Sequence, residues 1–478
     1  MSDVFQSYAD EMLSRAVRAA EEWRQFDQAQ ADRVVDAIFR AAWDARAHLA
    51  RLAHEETGMG VVEHKTLKNA WAALVVSEKL RGAKTVGAIA EDHATGITDI
   101  AEPVGPVLGT LPLTNPTSTA IFKALICAKT RNPIIFSPHR GVRKCSKEAA
   151  RILSAAAEGA GAPAGTIQVI TRSQSEYVHH VMRHRRLALI LATGTPAIVD
   201  VARQSGTPTF GVGPGNVPVF VHATANLERA ARSIVESKTF DNGTICASEQ
   251  AVVLQREQAA ALRAALEQHG AFFCSEEQAA SLGPVCFDAE HRRMRADVVG
   301  QPAAEIARRA GIAVPADTRV LVAVPGGVGP DYPLSAEILA PVLAWYEAAT
   351  YEEALETCRL LLRWGGTGHT LGVYTTDSRV VSDFSAIGGG RILVNQPTTQ
   401  GAYGGIVNLL PPSLTLSCGT GAHNITTDNI TYRHLLNVYR VVRPHPNRGW
   451  LAGGPTGWLN ESLDADAAQR KYRSADGN

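Results

Sequence analysis

Long apolar runs are missing from this 478-residue sequence. Stretches such as 187–192 and Val217–Val221 are far shorter than the roughly twenty residues that a membrane-spanning helix needs. An excess of one charge sign is missing too: 47 Lys and Arg balance 47 Asp and Glu. That balance removes the electrostatic argument for nucleic acid or an anionic membrane as a partner. Cysteine is sparse and scattered, with seven residues, no C-x-x-C pair and no regular spacing. An odd, dispersed set points to free thiols in a reducing compartment, hence to a cytoplasmic protein. The N-terminus, MSDVFQSYADEMLSRAVRAAEEW, carries charges throughout and lacks the apolar centre of a secretory signal. Internal repeats and low-complexity blocks are also absent.

What is present is an ordinary globular balance, 45% hydrophobic and 20% charged, on a chain long enough for about three domains. Residues 5–58 have helical periodicity: Tyr8, Met12, Ala16 and Ala19 share one face, and Val34, Ile38, Ala41, Ala42 and Leu49 continue the pattern until Gly58 and Gly60. From about Val104 short apolar runs alternate with helical stretches. The strands expected are Val107–Leu111, 133–136, 167–170 and 187–192, with helices over 120–130, 144–159, 176–183 and 197–205. A second series has strands at 251–254, 319–323, 371–374 and 392–394. Alternation of this kind predicts parallel sheets covered on both faces, which bind ligands beyond the carboxyl ends of their strands. The segment 424–442 returns to β-like composition. The tail after Pro444, rich in Gly, Pro, Asn and Asp, reads as poorly ordered.

Chemistry concentrates in SKTFDNGTICASEQ, residues 237–250. A helix ends near Lys238, a turn uses Asp241, Asn242 and Gly243, and Cys246 follows just before an apolar strand. A thiol is the strongest side-chain nucleophile near neutral pH, and backbone N–H groups of a tight turn can hold a developing oxyanion. The competing reading is a buried, inert cysteine. Asn115 sits in a loop after the strand Val107–Leu111, as a turn residue or an amide donor. Thr193 and Gly194 fall just past the strand 187–192, where free helix-start N–H groups suit a phosphate. GVGPGN (211–216) precedes a strand and not a helix, so it fails as a dinucleotide fingerprint. His179, His180 and His184 have a metal-like spacing, but Arg183, Arg185 and Arg186 would repel a cation, and no metal site is read here.

The stretch 239–250 is similar to the catalytic segment of CoA-dependent acetaldehyde dehydrogenases, including the dehydrogenase half of the bifunctional aldehyde–alcohol dehydrogenases. LTNPTSTAIFKALICAKTRNPIIFSPH (113–139), LILATGTPAIV (189–199), GVGPGNVPV (211–219) and GGTGHTLGVYT (365–375) also resemble that family. LSAEILAPVLA (334–344) and NITTDNITYRHLLN (424–437) follow in the expected order. The resemblance implies an α/β, aldehyde dehydrogenase-like fold: an NAD-binding domain with N-terminal helices (1–238), a catalytic domain carrying Cys246 (239–423), a β-arm for oligomerisation (424–443) and a tail (444–478). It also implies that Cys246 attacks an aldehyde, that the Asn115 amide and the Cys246 N–H hold the oxyanion, and that the acyl group passes to coenzyme A. Thr193 and Gly194 would approach the cofactor pyrophosphate, and Glu337 the nicotinamide ribose. Ser137, Pro138 and His139 would approach the adenosine ribose. Many hydrolytic members have a Lys and a Glu near there and this chain has neither, which leaves NAD versus NADP open; the resemblance itself implies NAD.

Hydrolytic members of the superfamily carry a water-activating glutamate at a place that this sequence fills with Val212, which favours acyl transfer to a thiol over release of free acid. By the same resemblance His369 lines the acyl or CoA pocket and Cys418 is packed rather than catalytic. The sequence departs from the family at Tyr403 and in GTGAHNIT, where His423 and the threonines suggest a polar or anionic aldehyde. The alternatives are a non-acylating dehydrogenase and a non-catalytic cofactor-binding protein of the same fold. The arm implies a homodimer or homotetramer. The tail, with Trp450, Trp458 and Leu463, is read as a loose C-terminus or as a dock for a partner or a microcompartment shell.

Overall fold

Hydrophobic patterning builds two parallel sheets, and the computed structural model describes residues 2–475 of the chain. Two units are distinguished. The first takes the chain up to Ala83 and from Pro103 to Leu436; the second takes Lys84–Glu102 and the chain from Asn437 onward.

In the first unit, the helices Gln28–Asp44, Arg46–Thr57 and Val62–Leu80 bury an apolar face against the first sheet's core. Asp27 and Gln30 form a reciprocal capping box, and Arg46–Thr57 stops at Gly58 as its pattern predicts. The first sheet runs Ile167–Val169, Ile134–Pro138, Val107–Leu111, Leu189–Thr193, Thr209–Val212, all parallel. All five residues of Val107–Leu111 are buried, as a central strand covered on both faces requires. The chain leaves this strand in one direction, then returns to add Leu189–Thr193 on its other side. The switch opens a crevice at the carboxyl ends, flanked by Asn115 and by Thr193 with Gly194.

The second sheet has seven parallel strands, ordered Ala271–Phe273, Val320–Ala323, Val342–Ala348, Glu249–Gln255, Val217–Val221, Thr370–Tyr374, Arg391–Val394. Three adjacent strands of it, Glu249–Gln255, Val217–Val221 and Thr370–Tyr374, begin just after Cys246, Gly215 and His369. The site is therefore approached by the carboxyl ends of one sheet and the amino ends of the other.

Three expectations need correction. The border between the two α/β parts is not at residue 238: Val217–Val221 already belongs to the seven-stranded sheet, and helix Leu227–Thr239 packs in its core. The strand–helix rhythm is the same on both sides of the 213–216 crossing, so periodicity cannot mark it. The β-arm does not begin at residue 424, because Ile430 and Leu435 lie in the first sheet's core. Only Leu436–Val442 is a strand, beside Ile97–Pro103 and Gly87–Asp92 in an antiparallel hairpin that composition did not reveal. The tail contains two helices, Arg448–Trp458 and Ala465–Ala475. Asn447 and Asp464 cap them, and Trp450 stacks on Trp458 at 5.3 Å.

Candidate active site

Helix Leu227–Thr239 ends in a short turn, Phe240–Gly243, whose residues Asp241 and Asn242 adopt left-handed φ values of 51° and 52°. Non-glycine residues enter that region at a cost and stay there only when their surroundings hold them. Asp241 is fully buried and heavily held. Its carboxylate accepts from Val61 N at 2.7 Å, Thr244 Oγ1 at 2.7 Å, Lys65 Nζ at 3.1 Å and Lys68 Nζ. Its own N–H donates to His64 Nδ1 at 2.9 Å. A side chain at Gly60 would fall on this carboxylate, so only glycine fits. The two lysines hold the Asp241 carboxyl below its ordinary range despite burial, which acts the other way. Cys246 follows three residues after Gly243, partly exposed between buried Ile245 and Ala247.

The same lysine reaches the other sheet. Lys68 Nζ donates to Asn115 Oδ1 at 2.5 Å, which turns the amide N–H₂ away from helix Val62–Leu80. Asn115 Nδ2 then lies 3.4 Å from the Thr244 carbonyl and 3.0 Å from Thr114 Oγ1. An amide donor from the first sheet's carboxyl end thus sits at the turn that carries the thiol. Burial lowers Lys68 to about 7, while Asp241 opposes that shift.

Around Cys246 the environment is mixed. Burial, then the Glu337 carboxylate and the Cys418 thiol, push the Cys246 thiol up; Arg391 pulls it down. Glu337 is not on a helix: it lies between the short turn Pro333–Ser335 and strand Val342–Ala348, and accepts from Gly215 N at 2.9 Å. Burial pushes it up to about 7. Gly215 is required, since a Cβ there would overlap the Cys246 carbonyl oxygen and lie 3.4 Å from His369 Cε1. His369 is fully buried, bonded through Nδ1 to Thr370 Oγ1 at 3.0 Å, with Nε2 unpartnered. Burial drops it to about 3, so the ring is neutral at physiological pH. Arg391 binds the His369 carbonyl at 3.2 Å and Asn429 Oδ1 at 2.7 Å. Val212 is buried in the apolar cluster against which Cys246 packs. Cys418 is buried and donates to the Leu416 carbonyl at 3.4 Å.

The crevice of the first sheet is clamped from beneath. Lys123, fully buried, donates to the carbonyls of Thr110 and Leu191 at 2.7 and 2.8 Å and to Thr193 Oγ1 at 3.3 Å. Thr110 Oγ1 also exchanges hydrogen bonds with the Thr193 backbone at 2.7 Å. Thr193 ends this strand, Gly194 follows, and helix Pro196–Arg203 begins with no side-chain cap, its Ile198 and Val199 N–H groups donating to the Thr195 carbonyl at 3.1 and 3.3 Å. Ser137, Pro138 and His139 end the next strand but one, and His139 N donates to the Leu111 carbonyl at 3.0 Å. A helix start without a side-chain cap beside an open switch point fits a dinucleotide's phosphates.

His423 stands apart. It is exposed, with a φ of 58°, and among the described residues no hydrogen bond links it to the Cys246 cluster. His184 pairs with Asp10 at 2.8 Å, and His180 bonds the Glu176 carbonyl. Sequence reasoning missed Lys65, Lys68, Lys123 and Arg391. The available signal was lysine inside otherwise apolar helical stretches, as in TAIFKALICAK, because a lysine facing a core needs a buried partner.

Comparison with known proteins agrees with this layout. The chain belongs to the aldehyde dehydrogenase family, whose model matches residues 2–406. It is 42% identical over 86% of its length to an aldehyde-alcohol dehydrogenase of Streptococcus pneumoniae, of which it spans 48%. It thus spans about half the length of the bifunctional relatives that it matches. It is 34% identical to an acylating sulfoacetaldehyde dehydrogenase of Cupriavidus necator, over 92% of this chain and 90% of that one. Its fold superposes with a TM-score of 0.89 on an acetylating aldehyde dehydrogenase from Geobacillus thermoglucosidasius, at 44% identity, covering 93% of this chain and 99% of the other. No helix among the described residues is long and apolar enough to cross a membrane.

Proposed function

We propose that the chain is a CoA-acylating aldehyde dehydrogenase that converts a short aldehyde, an oxidised nicotinamide cofactor and CoA to acyl-CoA, reduced cofactor and a proton. The observation that carries this reading is Cys246 beside the Asn115 amide, with a buried valine where a water-activating base would stand.

Cys246 sulfur, as thiolate, bonds to the aldehyde carbon, and the carbonyl π electrons move to oxygen. The Asn115 Nδ2 and the Cys246 N–H hold that oxyanion; a neutral amide donates without being titrated away. Burial and Glu337 keep the resting group a thiol, so its proton must leave before attack. Glu337, at about 7, is tuned to take it near neutral pH. Thr193 and Gly194, with Ser137, Pro138 and His139, would hold the dinucleotide, and Glu337 would meet its ribose when proton transfer is done. An oxidised nicotinamide held there would supply the acceptor for the hydride of the former carbonyl carbon, whose loss as the oxyanion collapses leaves a thioester on Cys246. The CoA thiol gives up its proton to water and, as thiolate, attacks that thioester, and the Cys246 sulfur leaves as thiolate. We take NAD as the natural cofactor and a homodimer or homotetramer as the assembly. Leu436–Val442 lies at the end of its sheet's strand order, and its exposed Tyr439, Val441 and Val442 support pairing with a second copy.

The test follows reduced-cofactor formation from NAD and from NADP with short aldehydes, with and without CoA, and identifies the product. Sustained turnover should require CoA and yield acyl-CoA; free acid without CoA would move the protein to the hydrolytic branch. In the same assay Val212→Glu should raise the ratio of hydrolysis to acyl transfer by about tenfold or more, within the range of one general base. An unchanged ratio means that Val212 is not where water would be activated.

A further inference from the structure

We propose that the acyl pocket is built for a short aldehyde that carries a neutral hydroxyl group, with the Tyr403 phenol as its hydrogen-bond partner. This rests on the reading of Cys246 as the nucleophile of an acylating dehydrogenase and names the substrate class of that same site.

Tyr403 ends the short helix Thr398–Tyr403 and is 5% exposed. Its ring stacks on Trp71, centroids 5.0 Å apart at 28°, in the apolar cluster against which Cys246 packs. The phenol oxygen is shut away from solvent and has no hydrogen-bond partner. One turn earlier on the same helix, Gln400 Oε1 is likewise buried without a partner. Native interiors rarely leave such atoms unpaired, and a phenylalanine would fill the same volume without stranding a polar atom. An orphan hydroxyl in the cluster against which the nucleophile packs is explained if its partner arrives with the substrate. The Cys246 thiol and the Asp241 carboxylate add to the effect of burial in pushing the phenol's pKa up.

The neighbouring polar groups are already committed. Trp71 Nε1 donates to the Gly404 carbonyl at 3.3 Å. Lys68 is held by Asp241 and Asn115, and Lys65 by Asp241 and the Thr114 carbonyl. Arg391, the cation that acts on the Cys246 thiol, is held by Asn429 Oδ1 and by the His369, Ser417 and Thr427 carbonyls. Among the described residues, the cations of this cluster thus already have partners, and burying a carboxylate or sulfonate without a counter-charge is costly. A neutral hydroxyl needs one good partner, and a phenol can serve as donor or acceptor. His423, the residue that first suggested a charged substrate, is exposed and not joined to this cluster.

Glycolaldehyde and propionaldehyde have nearly the same size and differ by a hydroxyl in place of a methyl, which makes them the matched pair. For the purified chain with NAD and CoA, kcat/KM should favour glycolaldehyde, and Tyr403→Phe should lower the glycolaldehyde-to-propionaldehyde ratio by about tenfold or more. Succinate semialdehyde, the anionic arm, should fall below both. The thermal midpoint of Tyr403→Phe should stay level or rise, because the variant removes an unpaired buried hydroxyl. A ratio that does not move, a parallel loss of both substrates, a clear preference for the anionic aldehyde or a falling midpoint each overturns the proposal. If neither neutral aldehyde yields acyl-CoA with the unaltered chain, the acylating reading itself fails. If both do and the ratio ignores Tyr403, only the substrate class falls.

Discussion

Replacing Cys246 with alanine should end reduced-cofactor formation and acyl-CoA release together, with kcat falling on the order of 10⁴-fold or more, as for other covalent catalysts that lose their nucleophile. The size follows from the lack of a substitute. Cys418 is buried and bonded to the Leu416 carbonyl, and the neighbours of Cys246, Ile245 and Ala247, have no nucleophilic atom. The sharper measurement is a rapid-mixing experiment without CoA. The unaltered chain should produce about one equivalent of reduced cofactor per site and then stall, because Val212 offers no base to bring water to the thioester. The alanine variant should show no burst. A variant that kept its burst would place the nucleophile elsewhere.

Asp241→Asn should be the most destabilising single change at the site, by about 3–5 kcal/mol, because it strands two buried ammonium groups that now share one carboxylate. The effect should also reach catalysis. Without the charge, the left-handed turn loses the anchor that Val61, Thr244 and both lysines provide, and Cys246 rides on that turn. Lys68→Met separates position from stability. Lys65 still pairs with Asp241, but Asn115 loses the donor that fixes its amide. We expect kcat to fall on the order of 10- to 100-fold, short of the loss for deleting an oxyanion donor outright, with KM for the aldehyde little changed. Asn115→Ala combined with Lys68→Met should cost little more than Asn115→Ala alone, since both act through one amide. Additive losses would show that Lys68 does not act through Asn115. Urea unfolding supplies the stability values, and steady-state kinetics of the four-member cycle supplies the coupling.

Much of this was readable in one dimension. Strands alternating with helices define parallel sheets, because a strand buried on both faces must be apolar along its whole length, and Val107–Leu111 is. Cys246 was singled out because a turn of Asp, Asn and Gly precedes it and the stretch around it resembles the family's catalytic segment, and Val212 because the ordered resemblance sets it where hydrolytic members carry a glutamate. These are local facts, written in residues next to one another or in an ordered series of motifs. Other facts depend on meetings across the chain. Lys68 meets Asp241 across 173 residues, and Trp71 bonds Gly404 across 333. Nothing local distinguishes a lysine that covers a helix surface with its stem from one that turns inward to a carboxylate. Composition likewise could not show that His423 stays outside while the Tyr403 hydroxyl is shut inside, for periodicity places a residue on a face and not opposite a partner. The sequence by itself determined the fold class and pointed to the proposed nucleophile, because both rest on short-range pattern and on motifs in a fixed order. Only the tertiary structure decided which polar groups are paired and which are left for a substrate, because hydrogen bonding inside a protein is settled by what the two sheets bring face to face.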